Sequence, residues 1–298
     1  MKIFDCTLYY DEDLILETRL NILNKYIDKF IICEATYTHS GRKKKLNFDI
    51  QKFSKFKDKI IYIIQDTEPK DIIYDDVEKR VENPTNWRVN AVKRISHQRN
   101  KLLDEVGKHA DMNDIILYSD NDEIPNLEIH NISKEKSKII IFEQDLYYFK
   151  FNLLCDRIKW YGTRAIKKKD LFDFEWLREI KPKKYPFYRF DTLFKKNKYT
   201  NLKILKNGGW HFTRVISPEE IHKKELDAEH HDEYRASNKN PERIRDLIKR
   251  RVIDHDHLAD SRENKYGKEF ALKQLSLDRM PIYIKENQDK YKEFLDLD

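Results

Sequence analysis

The stretch Ile115-Ile116-Leu117-Tyr118-Ser119-Asp120-Asn121-Asp122-Glu123-Ile124-Pro125 constrains this chain more than any other. Its run of apolar residues predicts a strand buried on both faces, and such strands belong to parallel sheets covered by helices. Three carboxylates follow within four residues, and a proline ends the run. Buried charge is costly unless it is paired or binds a metal, and carboxylates this close repel one another. A divalent cation relieves that repulsion. Asp120-Asn121-Asp122 at the carboxyl end of a buried strand is therefore a candidate Mg2+ or Mn2+ site facing a diphosphate. An acidic turn with no ligand is the plain alternative.

The residues before it supply the partners of such a strand. Residues 3–8, 30–33 and 60–64 predict strands, and Leu16, Leu20, Leu23 and Ile27 share one helical face with Asp11 or Asp13 as its N-cap. Residues 74–84 have no clear period and read as irregular. Val92, Ile95, Leu102 and Val106 mark a second helix face over 87–106, and Arg99 falls on it. A guanidinium there needs an anionic partner, either a structural carboxylate or a bound phosphate. The order strand, helix, strand, strand, helix, strand predicts an α/β fold with a Rossmann-like, mixed but mainly parallel sheet flanked by helices. Ligands of such sheets bind outside the carboxyl ends of the strands, where Glu34 and the acidic run both fall. No Gly-x-Gly-x-x-Gly follows a strand and no P-loop is present, which argues against an ordinary dinucleotide site.

Beyond Pro125 the chain turns aromatic. Residues 139–151 form a long strand-like segment carrying Glu143 and Asp145, and Trp160-Tyr161 and 172–176 add further rings. Aromatic faces beside carboxylates and amides suit sugar rings, although core packing explains most such rings. Gly208-Gly209-Trp210-His211-Phe212 enters a short strand, in which His211 is either a metal ligand or a packed imidazole. Ser217-Pro218 opens an amphipathic helix carrying Lys223, Lys224, His230 and His231. Residues 241–252 and 268–275 read as helices, and Pro281 breaks the pattern. His255-Asp256-His257 lacks a matching partner and reads as surface. The expected organisation is one unit: a nucleotide-binding half (1–125), an acceptor and metal half (126–235) and a helical C-terminal extension (236–298).

Composition narrows the class. At 298 residues the chain can bury a substantial core, and six glycines leave no flexible linker. Charged residues reach 38%, yet both signs are interspersed and the net is only +6, unlike the basic stripe of a nucleic-acid binder. Three cysteines without metal-like spacing suit a reducing compartment. No apolar run is long enough to span a bilayer, so the expectation is a cytoplasmic protein, peripheral at a membrane carrying its acceptor.

Several pieces in this order resemble glycosyltransferase family 17. They are Phe4-Asp5-Cys6, Glu17-Thr18-Arg19-Leu20, Glu34-Ala35 with Thr38, Ser40, Gly41 and Lys45, then Gln98-Arg99-Asn100, the run 119–125, Gly209-Trp210-His211-Phe212 with Lys224 and His230, and Pro281-Ile282-Tyr283. The resemblance implies a GT-A-like fold and an inverting, metal-dependent transfer from a nucleotide sugar, UDP-GlcNAc first among them, to a glycan, glycolipid or glycoprotein. It implies that Asp122, with Asp120 and His211, holds Mn2+ or Mg2+. Asp120, Arg99 and Lys224 would meet the sugar nucleotide and Glu34 its nucleoside. Inversion requires a carboxylate to take the acceptor proton. Glu143 and Asp145, which follow the next strand, are the candidates, with Asp232 in reserve. Two other classes compete: a metal-dependent nuclease or phosphohydrolase, which would need a basic groove, and a non-catalytic glycan-binding module, which would leave the strand-end carboxylates without a purpose.

Overall fold

The computed structural model describes residues 1–183, 185, 198–199, 201–259 and 265–297. The first half runs β1 (Ile3–Tyr9), α1 (Asp13–Leu23), β2 (Lys29–Ala35), β3 (Ile60–Gln65), α2 (Pro84–His109), β4 (Ile115–Tyr118) and β5 (Glu123–Pro125). The second half continues with β6 (Ile139–Tyr148), β7 (Leu153–Lys167), α3 (Phe174–Glu179), β8 (Leu202–Leu205), β9 (Gly209–Thr213), α4 (Pro218–Asp227), α5 (His231–Ala236), α6 (Pro241–Lys249), β10 (Val252–His255), β11 (Tyr266–Ala271), β12 (Lys273–Gln274), α7 (Ile282–Glu286) and α8 (Gln288–Tyr291).

Strands β3, β2, β1 and β4 pair in parallel in that order. β7 then joins antiparallel to β4 and to β6, β6 runs parallel to β8 and β9, and β5 pairs antiparallel with β9. The result is the expected α/β class, a mixed sheet flanked by helices. β4 is buried at all four positions, Ile115 and Leu117 with the α1 side and Ile116 and Tyr118 with the α2 side. Each such side chain contributes roughly 1.5–3 kcal/mol by leaving water, so a charge is tolerated only where the strand ends.

Several local expectations change. α1 starts at Asp13 with Glu12 as its N-cap residue, and neither Asp11 nor Asp13 caps it; Ile27 lies beyond the helix but in the same core. Glu12 makes no cap bond because its carboxylate accepts instead from the Tyr10 and Asp11 N–H groups, the Asn121 amide and Lys224. On α2 the buried stripe is partly polar, with Asn90, Arg94, Gln98 and Arg99 beside Ala91, Ile95, Leu102 and Val106, while Val92 is 40% exposed. Residues 268–275 are strand rather than helix: β11 forms a hairpin with β10, and β12 adds to the main sheet beside β7. The preceding helix stops at Lys249, and Arg251 at φ 53 turns the chain into β10. A hairpin partner some fifteen residues away, not local period, decides this segment. Leu146, Tyr148 and Leu153 of the sheet bury themselves against Ile221, Ile244, Leu247 and Ile253, so the C-terminal elements share a core with it. Among the described residues no helix is long and apolar enough to cross a membrane.

Candidate active site

The acidic turn is held from beneath by one residue. Arg19 of α1 is fully buried and forms a two-pronged ion pair with Asp5 of β1, at 2.7 and 2.5 Å. Its remaining N–H groups reach Ser119 Oγ at 2.6 Å and the Glu123 carbonyl at 2.8 Å, with the Asp120 and Asn121 carbonyls at 3.4 Å. A turn made of charged residues thus has its backbone fixed by a guanidinium, whose own charge Asp5 neutralises. Gly209 brings β9 against the far end of the turn. Its φ is +134°, and a Cβ there would lie 2.1 Å from the Ile124 carbonyl oxygen, so no other residue fits. The pairing of β5 with β9 sets Glu123 opposite His211.

A cleft of about 390 Å³ opens at the carboxyl ends of β1, β2 and β4. Asp120, Asn121, Asp122, His211 and Lys224 line it, together with Glu12, Thr38, His39 and Lys44. Asp122 Oδ1 lies 3.4 Å from His211 Nε2. Burial opposes charge on both, but His211 and Lys224 hold the Asp122 carboxyl below its ordinary value, and Asp122 with Glu123 and Asp120 raises the imidazole. Lys224 pairs with Glu12 at 2.6 Å, and Glu12 also accepts from the Asn121 amide at 2.8 Å. Glu12 and Asp122 outweigh the burial of Lys224 and keep it firmly protonated.

Among the described residues no three His, Cys, Asp or Glu side chains form a metal cage. Asp122 and His211 are nonetheless a carboxylate and an imidazole at adjacent ligating distance, and His211 Nδ1 is buried without a hydrogen-bond partner among the described residues. Such a pair fits a cation that takes its other ligands from water and phosphate, as Mg2+ usually does. Asp120 is differently occupied. Its Oδ1 accepts from the Tyr118 hydroxyl at 3.1 Å and lies 3.5 Å from Arg99, and its Oδ2 meets Arg178 at 3.1 Å. Burial would raise this carboxyl, yet Arg178 and Arg99 hold it well below its usual range.

The other predicted residues do not reach the cleft. Glu34 is fully buried and accepts from Lys44, the Asn47 and Phe48 N–H groups and the Tyr62 hydroxyl, so only Lys44 links it to the cleft. Arg99 finds structural carboxylates, Glu175 at 2.8 Å and Asp120, and lies behind the turn. Glu143 accepts from the Tyr161 hydroxyl at 3.1 Å, and Asp145 pairs with Lys159. On β6 the alternate residues Gln144, Leu146 and Tyr148 share the cleft side, so Glu143 and Asp145 point to the opposite face. Asp232 is bound to Arg88 at 2.7 Å and lies outside the cleft. The sequence reading missed Arg19, Glu12 and Arg178 as site-builders. It also missed His255 and His257, which line the cleft instead of lying on open surface.

An acidic turn, a carboxylate–imidazole pair and two lysines line a cleft at the carboxyl ends of a parallel sheet, the place where α/β enzymes bind their ligands. The family model of glycosyltransferase family 17 matches residues 1–178, and the chain belongs to that family; it is a glycosyltransferase, with a sugar donor and an acceptor as its partners. No curated protein matches the chain. Among solved structures it is similar to the inositol-1-phosphate CTP transferase from T. maritima, at 7% identity and a TM-score of 0.30, over 75% of this chain and 96% of that one. That likeness is too slight to bear on chemistry.

Proposed function

We propose that this enzyme is a metal-dependent inverting glycosyltransferase that moves GlcNAc from UDP-GlcNAc onto a glycan, glycolipid or glycoprotein. The observation that carries the reading is Asp122 beside His211, with Lys224 across the same cleft. Asp122 and His211 would hold Mn2+ or Mg2+, which supplies charge neutralisation for the departing nucleoside diphosphate. Lys224 leaves Glu12 to meet the diphosphate, and Lys44 adds a second cation on that wall. Asp120, fixed by Arg99, Arg178 and Tyr118, orients ribose or sugar hydroxyls as an acceptor whose position cannot drift. The nucleoside lies along Tyr10, Thr38 and His39.

The acceptor proton needs a carboxylate inside the cleft. Glu12, Glu225, Asp227 and Glu233 are paired with Lys224, Arg214, Arg42 and Arg88. Among the described residues Glu229 has its one ion pair with His230, at 3.8 Å, and it is the base we assign. The three buried, free cysteines suit a reducing cytoplasm. Thermal unfolding with UDP-GlcNAc, UDP-Gal, UDP-Glc and GDP-Man, each with and without Mn2+, tests the donor assignment. A ligand bound only by the folded state raises its melting temperature, by an amount set by affinity. UDP-GlcNAc should stabilise most and only with metal, and Asp122→Ala should remove the effect. Equal stabilisation without metal, or none by any UDP-sugar, sinks the reading. Glu229→Gln should leave donor stabilisation intact while turnover falls about 10²-fold or more.

A further inference from the structure

The two walls of the cleft differ in kind. The donor wall carries Lys44, Lys224 and the acidic turn. Beside it, starting from the acidic turn, runs a continuous series of rings. Trp160 of β7 lies 4.6 Å from His211, between ring centres, and 6.4 Å from His257. His257 lies 5.6 Å from Tyr148 and 4.5 Å from His255, and His255 lies 5.1 Å from Tyr266. All six rings line the cleft. Three of them come from the β10–β11 hairpin and the residues that follow β10, beyond the part of the chain that the family model matches.

This wall presents faces and neutral hydrogen-bonding atoms, not charge. Arg214 is bound to Glu225 at 2.7 Å, Lys265 to Glu233 at 3.0 Å and Lys239 to Asp254 at 2.5 Å, so the nearby ions are spent on each other. His257 bonds the Tyr148 hydroxyl, and His255 Nδ1 is buried with no hydrogen-bond partner among the described residues. The indole of Trp160 is fixed by its N–H on the buried Glu123 carboxylate, at 2.6 Å. The same Glu123 accepts from the Asp120 N–H of the acidic turn, at 3.1 Å. One carboxylate therefore sets both the turn and the ring at the mouth of the aromatic wall.

We infer that Trp160, Tyr148, His257, His255 and Tyr266 form the acceptor subsite, and that it takes a neutral sugar ring. Flat apolar faces stack on the C–H surface of a pyranose, and neutral imidazole and phenol groups bond its hydroxyls. Among the described residues an anionic acceptor group would meet Glu225 and Glu233, and the nearby cations Arg214, Lys239 and Lys265 are each held by a carboxylate. The inference rests on the donor reading only for the name acceptor; the sugar-binding wall stands by itself.

Saturation-transfer NMR with methyl glycosides of GlcNAc, glucose, galactose and mannose, without nucleotide or metal, tests it directly. At least one glycoside should receive saturation, and its affinity should fall about tenfold in Trp160→Ala and in His257→Ala. Trp160→Phe should recover part of the loss, which a folding defect in Trp160→Ala would not explain. His257→Ala should leave the UDP-GlcNAc thermal shift unchanged. If no glycoside binds, if binding is indifferent to both substitutions, or if uridine takes the wall instead, the inference falls. A donor titration that fails while glycosides still bind through Trp160 overturns the donor reading alone.

Discussion

Two short polar segments, Asp120-Asn121-Asp122 and His255-Asp256-His257, end in different electrostatic states around one cleft. The carboxylates of the first are half-buried and ionised, because Arg99, Arg178, His211 and Lys224 converge on them and outweigh desolvation. The second is half-buried too, yet both of its imidazoles are neutral. Burial together with Arg214 pushes His255 down to about 4, and burial together with His255 and Arg214 pushes His257 down to about 3. Asp256 between them turns away towards Arg157, 3.5 Å off. Counter-ions imported from other elements, and not the local sequence, decide whether a charge-rich segment stays charged.

The comparison breaks most sharply at Asp122. Asp122→Ala should lower sugar transfer by on the order of 10³, with a melting temperature near that of the parent, because the side chain works at the cleft and not in the core. UDP release with each acceptor, beside circular dichroism, measures both; full activity would mean the ionised wall is not the reactive one. Asp5→Ala strands the Arg19 guanidinium in the core and should cost about 3–5 kcal/mol in urea unfolding. The double substitution Asp5→Leu, Arg19→Met should recover much of that stability, since a packed apolar pair often replaces a buried ion pair. It should not recover turnover, because the carbonyls of the turn lose their donor.

The neutral wall is probed by pH. His255 and His257 hold protons less readily in the folded chain than at their ordinary value of 6.5, so the unfolded chain binds more protons as pH falls below it. Their contribution is complete above pH 6.5 and is lost as pH falls towards 4 and 3. A His255→Gln, His257→Gln variant should therefore lose less stability than the parent between pH 6.5 and 5, a window above most carboxylate titration. Parallel curves for the two proteins would show that these imidazoles are not held neutral. The smallest effect belongs to the far face of the sheet. Glu143→Gln and Asp145→Asn should change stability by no more than about 0.5 kcal/mol and leave transfer kinetics alone. A large fall in turnover with either would return the base to β6.

Much of this was legible in the chain. The apolar run before Ser119 required a strand buried on both faces, and the acidic residues after it required partners; both requirements are met. That Asp122 and His211 lie at a strand end and a close strand approach was legible from their residue types and the positions of Pro125 and Gly209; the structure brings both to one cleft with Lys224. Glu143 and Asp145 were misplaced by one step of alternation. Period two shows that two residues share a face but not which face looks into a cleft. Arg178 gave no signal, since nothing in a six-residue helix says that its guanidinium will reach across to Asp120 and Glu123.

The sequence by itself determined the α/β class, the buried strand and the acidic end where chemistry is possible, because burial pattern and charge are local properties that follow from side-chain type. Only the tertiary structure decided which carboxylates are neutralised, which imidazoles stay uncharged and which rings face the cleft. Those depend on distances between residues as far apart as Glu12 and Lys224, and an electrostatic energy is fixed by distance in space, not by separation along the chain.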